Sequence, residues 1–151
     1  MRHLVHRMKY RNEPFLAKDL VQLALEDDAF RRHLAGSFLV PVPLYQARHQ
    51  ERGYNQAEVL AKEFAQQTPG CTYMHILERT RDTGQQVKLG RELRVQNMDD
   101  AFRILPKPKL PAGRYVVIDD VLTTGATLSA CATALRIGGA SHIDAATIAH
   151  G

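Results

Sequence analysis

Val116–Leu128 reads Val-Val-Ile-Asp-Asp-Val-Leu-Thr-Thr-Gly-Ala-Thr-Leu, and the rest of the chain is organised around it. Tyr115 to Ile118 is a short apolar run rich in β-branched residues, which predicts a buried strand. Two adjacent carboxylates follow, Asp119 and Asp120, and then the small, hydroxyl-rich Thr123-Thr124-Gly125-Ala126-Thr127. A helical pattern begins there, with Ala130/Ala134 and Cys131/Leu135 on neighbouring faces, and it ends at Gly138-Gly139. The unit is strand, polar turn, helix. Backbone N–H groups at such a helix N-terminus point outward, and the helix dipole favours an anion there. Gly125 permits close backbone approach, and the threonines add hydroxyl donors. A phosphate monoester fits this loop.

The two aspartates require a different contact, because carboxylates beside a phosphate loop repel the phosphate. Ribose hydroxyls or a Mg²⁺ ion would serve. A ligand carrying phosphate, sugar and metal together satisfies all three groups. The stretch closely resembles the signature of the type I phosphoribosyltransferases, and every position of it fits. The resemblance implies that Asp119 and Asp120 hold the ribose hydroxyls of phosphoribosyl pyrophosphate (PRPP) and take part in catalysis. It implies that Thr123, Thr124, Gly125, Ala126 and Thr127 hold the 5′-phosphate. Mg²⁺ is the implied cofactor. It is held mainly through PRPP, with Asp119 or Asp120 as the protein's contribution, and no dedicated protein metal site is expected. The implied fold is α/β, the type I phosphoribosyltransferase fold, with a mainly parallel sheet flanked by helices and a small N-terminal hood.

A length of 151 residues predicts one domain, with about 1–35 as hood and N-terminal helices and about 36–151 as core. The hydrophobic fraction of 44% and charged fraction of 24% are ordinary for a globular protein. No apolar run approaches membrane-spanning length, and the N-terminus has no signal-peptide core. A cytoplasmic location without membrane insertion is expected. Cys71 and Cys131 are too few for a disulfide framework or a zinc site, and Cys131 reads as a small apolar residue of the helix core. The net charge of +4 fits a polyanionic ligand, small molecule or nucleic acid alike.

Along the chain, Asn12 and Pro14 open a helix whose core stripe reads Leu16, Leu20, Leu23 and Ala24. Phe38–Leu44 predicts a strand ending at Pro41 or Pro43, because proline removes ladder donors. A polar, basic loop, Tyr45–Gly53, precedes a helix from about Tyr54 to Gln67. Val40-Pro41-Val42-Pro43-Leu44 followed by Arg52-Gly53-Tyr54-Asn55-Gln56 resembles the ComF/GntX-like branch of the phosphoribosyltransferases, the competence-associated ComF family. The resemblance assigns the pyrophosphate loop to Leu44, Arg48, Arg52 and Gly53. Tyr73–Leu77 reads as a strand, Ala101–Leu105 as a short strand and His142–Ala149 as the last one. The long polar segment Glu78–Asp100 carries Arg79, Arg81, Lys88, Arg91 and Arg94. Segments of that length inside a domain are usually functional or mobile. Arg79, Gln86, Leu89, Arg94, Asn97, Ala101 and Phe102 match the family's pattern there. By that resemblance the five basic residues belong to a flexible lid, with Arg79 and Arg94 in catalysis.

The chemistry so implied is transfer of the phosphoribosyl group from PRPP to a nitrogen nucleophile, with release of pyrophosphate. Base-salvage members place a carboxylate where Thr123 stands, and threonine cannot act as that base at neutral pH. Ammonia or an amine therefore fits better than a purine base. Many family members begin with a four-cysteine zinc ribbon, which this chain does not contain, and His150 stands where arginine is common. Two other functions share these residues: a PRPP-binding regulator without turnover, and a single-stranded DNA-handling protein of natural competence using the basic loops. A homo-oligomer and single-stranded nucleic acid remain as further partners, with the acceptor and the pathway unspecified by the sequence.

Overall fold

The computed structural model describes residues 14–45, 53–80, 101–106 and 109–151. Helix α1 is Leu16–Ala24, α2 Asp28–Leu34 and α3 Gln56–Gln67. Strands β1 (Phe38–Pro41), β2 (Thr72–Tyr73), β5 (Arg114–Leu122) and β6 (His142–His150) form one parallel sheet in the order β2-β1-β5-β6. Strands β3 (Leu77–Arg79) and β4 (Phe102–Ile104) form a separate antiparallel ribbon. Helix α4, Ala126–Ile137, follows β5. The architecture is α/β, a four-stranded parallel sheet flanked by helices, as the signature implied.

Two apolar layers hold it together. On one face Ala17, Leu20, Val21 and Leu34 of α1 and α2 pack with Leu60, Ala61 and Phe64 of α3 against Leu39, Val116, Ile118, Ala146 and Ile148. On the other face Ala130, Cys131, Ala134 and Leu135 of α4 pack with Tyr115, Val117, Leu77 and Phe102. Adjacent residues of β5 thus serve opposite layers, as strand alternation requires. All four helix residues picked from the Gly-terminated pattern are buried.

Several boundaries differ from the sequence expectations. The strand expected to end at Ile118 runs on to Leu122, because β6 supplies a ladder partner as far as Leu122↔His150, beyond the end of β1. The acidic pair therefore lies in a strand. Tyr73–Leu77 is not one strand. The chain pairs with β1 at Thr72 and Tyr73, leaves the sheet, and enters the ribbon at Leu77. In α1 the buried face is Leu16, Ala17, Leu20 and Val21, while Leu23 is 44% exposed. Leu23 falls roughly a quarter turn off that face. Helix α2 was not expected. Asp27 caps it by accepting from Ala29 N–H at 2.8 Å and Phe30 N–H at 3.3 Å. Helix α3 begins at Gln56 rather than Tyr54, because Asn55 is its N-cap. The Asn12 cap lies outside the described residues.

Candidate functional site

The sheet order creates a crevice. From β1 the chain passes through α3 to β2 on one side, and from β5 through α4 to β6 on the other. The strand order thus diverges between β1 and β5. Ligands of open α/β sheets bind outside the carboxyl ends of the strands at such a point. Proline ends β1 at Pro41, and the last link to β5 is Val42 N–H donating to the Ile118 carbonyl at 2.9 Å. Asp119 and Asp120 are the next two residues of β5.

Their backbone is unlike the rest of the strand. Asp120 N–H donates to its neighbour's carboxylate, Asp119 Oδ1, at 2.9 Å. Asp119 pairs with Thr147, and the next ladder pair is Val121 with Ala149. Adjacent strand residues face opposite sides. Asp119 continues the Val117 side and lines a cleft with the start of α4. Asp120 continues the Ile118 side and is 5% exposed. The two carboxylates do not present one shared face.

The turn after β5 is set by Gly125. Its φ of +77° and ψ of −3° are left-handed, a conformation that costs other residues about 1–2 kcal/mol. Space is not the constraint, since an added Cβ would meet only Leu122 Cδ1 at 3.7 Å. Gly125 is also the N-cap of α4, its carbonyl accepting from Ser129 N–H at 2.9 Å, with no side-chain cap. Thr124 Oγ1 accepts from Ala126 N–H at 3.4 Å. The first-turn N–H groups of a helix have no partner within it. At α4 these are the groups that face the cleft's end of the helix. Gly151 N–H donates to the Leu122 carbonyl at 2.7 Å and fixes the start of the turn.

The cleft is shallow and open to solvent, and is lined by Asp119, Val121, Leu122, Thr123, Gly125, Thr127 and Leu128. It thus joins one carboxylate to the threonine turn. Thr124 and Ala126 stand beside its wall. Behind it, Cys131 is fully buried. Burial pushes its thiol pKa up, the Asp119 charge adds to this, and Arg79 opposes it. Among the described residues no group of three or more His, Cys, Asp or Glu could hold a metal by itself. No helix among them is long and apolar enough to cross a membrane.

The other predicted residues are placed as follows. Leu44 is half-buried after β1, and Gly53 is exposed with a φ of +76°. Arg79 is the last residue of β3, with its guanidinium carbon 5.4 Å from the centroid of the Phe102 ring. Arg48, Arg52, Arg81, Lys88, Arg91 and Arg94 lie outside the described residues. Two structural contributors had no assigned role in the sequence. Asn55 donates to the Val42 carbonyl at 2.9 Å, joining the end of β1 to the start of α3. Phe102 lies under Arg79. Asn55 carried a legible signal, a capping residue before a helical pattern. Phe102 matches the family's pattern, but its pairing with Arg79 carried no signal, since a cross-strand pair cannot be seen without the register.

No family model matches the chain. It is 33% identical over 145 residues to competence protein F of Haemophilus influenzae. It is 35% and 34% identical over 146 residues to the DNA utilization protein YhgH of Salmonella typhimurium and of Escherichia coli K12. Each alignment covers 93% of this chain and 63% of the relative's length. Over 93% of its length, then, the chain is similar to competence protein F and to YhgH, and it spans less than two thirds of the length of these relatives.

Proposed function

We propose that the chain is a PRPP-binding, phosphoribosyltransferase-like protein that transfers the phosphoribosyl group to a nitrogen nucleophile such as ammonia or an amine. The observation that carries this reading is the cleft itself. Asp119 and the N-terminus of a twelve-residue helix share it, at the divergence of strand order. A sugar phosphate suits that pairing. The Thr123–Thr127 turn and the α4 N–H groups receive the 5′-phosphate. Asp119 accepts from the ribose hydroxyls, and its charge stabilises positive charge building at C1 as the C1–O bond to pyrophosphate breaks. Pyrophosphate leaves with the bonding electrons. The nitrogen lone pair then forms the C1–N bond, and the nitrogen loses its proton to solvent. Thr123 holds no proton-accepting group for that step at neutral pH.

Mg²⁺ is bound by one or two carboxylates together with substrate oxygens, and Asp119, half-exposed on the cleft wall, fits that pattern. When bound, the ion supplies charge neutralisation for the departing pyrophosphate. The basic residues Arg48, Arg52, Arg81, Lys88, Arg91 and Arg94 remain part of this proposal as pyrophosphate and lid contacts.

The names of the relatives favour a second reading, in which the chain serves DNA handling, either as a PRPP-binding regulator or on single strands. A single-strand site needs aromatic platforms along a basic groove. Among the described residues that line the cleft none is aromatic. Calorimetry with PRPP and Mg²⁺, then pyrophosphate release with a panel of nitrogen acceptors, separates the cases. Binding with release supports transfer. Binding without release, across the panel, supports a regulator. No PRPP binding together with a salt-dependent shift of single-stranded DNA supports the nucleic-acid reading.

A further inference from the structure

The cleft wall carries a carboxylate and hydroxyls, and among the described residues that line it there is no lysine or arginine. A phosphorylated ligand beside Asp119 calls for a cation on that side. Arg79 is suited to supply it. It stands directly opposite Phe102 in the β3–β4 register, so the two side chains share one face of the ribbon. The guanidinium carbon sits 5.4 Å from the ring centroid, within the range of cation–π attraction. Phe102 is 4% exposed and packed with Leu77, Cys131 and Leu135, so the ring is a fixed seat. Arg79 and Asp119 also act on the same Cys131 thiol with opposite sign. The ribbon packs on α4 through Leu77 and Phe102 against Cys131 and Leu135, and the first turn of the same helix lines the cleft at Thr127 and Leu128.

We propose that Phe102 is a positioning residue of the candidate site, its ring holding the Arg79 guanidinium on the Asp119 side of the cleft to meet the anionic part of a phosphorylated ligand. This rests on the PRPP reading above. Stacking engages the face of the guanidinium, while its N–H donors lie in the edge and reach acceptors. An aliphatic side chain at 102 would keep the apolar packing and lose the seat.

The test is a titration of PRPP with Mg²⁺ into the wild-type chain, Phe102→Leu, Phe102→Trp, Arg79→Gln and the Phe102→Leu/Arg79→Gln double variant. Phe102→Leu should weaken binding about three- to tenfold. Phe102→Trp should bind as tightly as wild type, since indole is the best platform. The double variant should bind no more weakly than Arg79→Gln alone, because Phe102 acts through Arg79. Wild-type affinity in Phe102→Leu, or losses that add in the double variant, overturns the proposal. Should Phe102→Leu fail to fold, Phe102→Trp decides. The chain has no tryptophan, so its emission reports this site alone, and it should shift on saturation with PRPP and on introducing Arg79→Gln. An unchanged spectrum in both overturns the proposal. Absence of PRPP binding in the wild-type chain is a different failure, visible before any variant is made; it removes the reading and the inference with it.

Discussion

The Asn55 side chain joins two elements at once: its Nδ2 donates to the Val42 carbonyl at 2.9 Å, and its Oδ1 accepts from Ala57 N–H at 3.1 Å. The first bond holds the exit of β1, and the second caps α3. Both bonds are buried. One residue therefore closes the base of the loop between them.

Asn55→Ala should cost about 2–4 kcal/mol, combining a lost N-cap with a stranded buried carbonyl. Urea unfolding measures it. Asn55→Asp keeps the cap acceptor but turns a carboxylate toward the Val42 carbonyl. That contact favours the protonated acid, so the folded pKa rises above the unfolded one. The loss relative to wild type should then shrink as pH falls through the carboxylate range. A loss independent of pH would show that the Val42 contact is unimportant.

The acids should behave differently from each other. Asp119 is half-exposed on the cleft, and Asp120 is buried on the opposite side of the strand. Asp119→Asn should weaken binding of PRPP with Mg²⁺ about ten- to a hundredfold, the value of one charge-assisted contact, with little change in melting temperature. Asp120→Asn should also weaken binding, with a larger effect on melting because a buried group is altered. Wild-type affinity in the double variant would remove both residues from the site.

Gly125 is a backbone requirement of the turn. Gly125→Ala should cost about 1–2 kcal/mol because of the left-handed conformation, and Gly125→Val more, since its β-branch is least tolerant there. Gly125→Asn should fold best of the three, as asparagine tolerates that conformation. Paired melting and inorganic phosphate titrations follow stability and binding separately. Equal melting temperatures for Gly125→Ala and Gly125→Asn would contradict the conformational argument.

Alkaline pH should expose the buried Cys131. Burial raises the thiol's pKa in the folded chain, as it does for the hydroxyls of Tyr115 and Tyr73, the latter also donating to Glu58. Each group holds its proton more tightly folded than unfolded. Stability is therefore full below the unfolded pKa values and falls as pH rises past them, from about 8.5 for the thiol and about 10 for the phenols. Cys131→Ala should flatten the decline between those values. A wild-type decline that Cys131→Ala leaves unchanged would place the alkaline loss elsewhere.

The part of the site that is local in sequence was legible. The run from Tyr115 to Gly139 announced strand, turn and helix through its own residue pattern, and Ala130, Cys131, Ala134 and Leu135 are all buried as read. What could not be read depends on partners distant in the chain. The strand continues through Asp119 and Asp120 because β6 lies alongside, and nothing near Asp119 states that. Thr72–Tyr73 and Leu77–Arg79 are near neighbours in sequence, but they belong to two sheets because only the former meets β1. Leu23 has the spacing of a core residue, yet α1 needs only a narrow buried face.

The two walls of the crevice have different histories within the chain. Strands β5 and β6 join Arg114 to His142 through one helix, whereas β1 and β5 join Phe38 to Tyr115 across most of the molecule. Closing so wide a loop carries more entropy, and non-local parallel pairing is slow. During synthesis β1 emerges well before the Asp119–Thr127 half of the site and must wait for β5 as its partner. A ligand that bridges both walls would bind only the completed pairing and draw the chain toward it by mass action. Acquisition of binding during refolding would then serve as a clock for the β1–β5 junction, running later than the signal from helix formation.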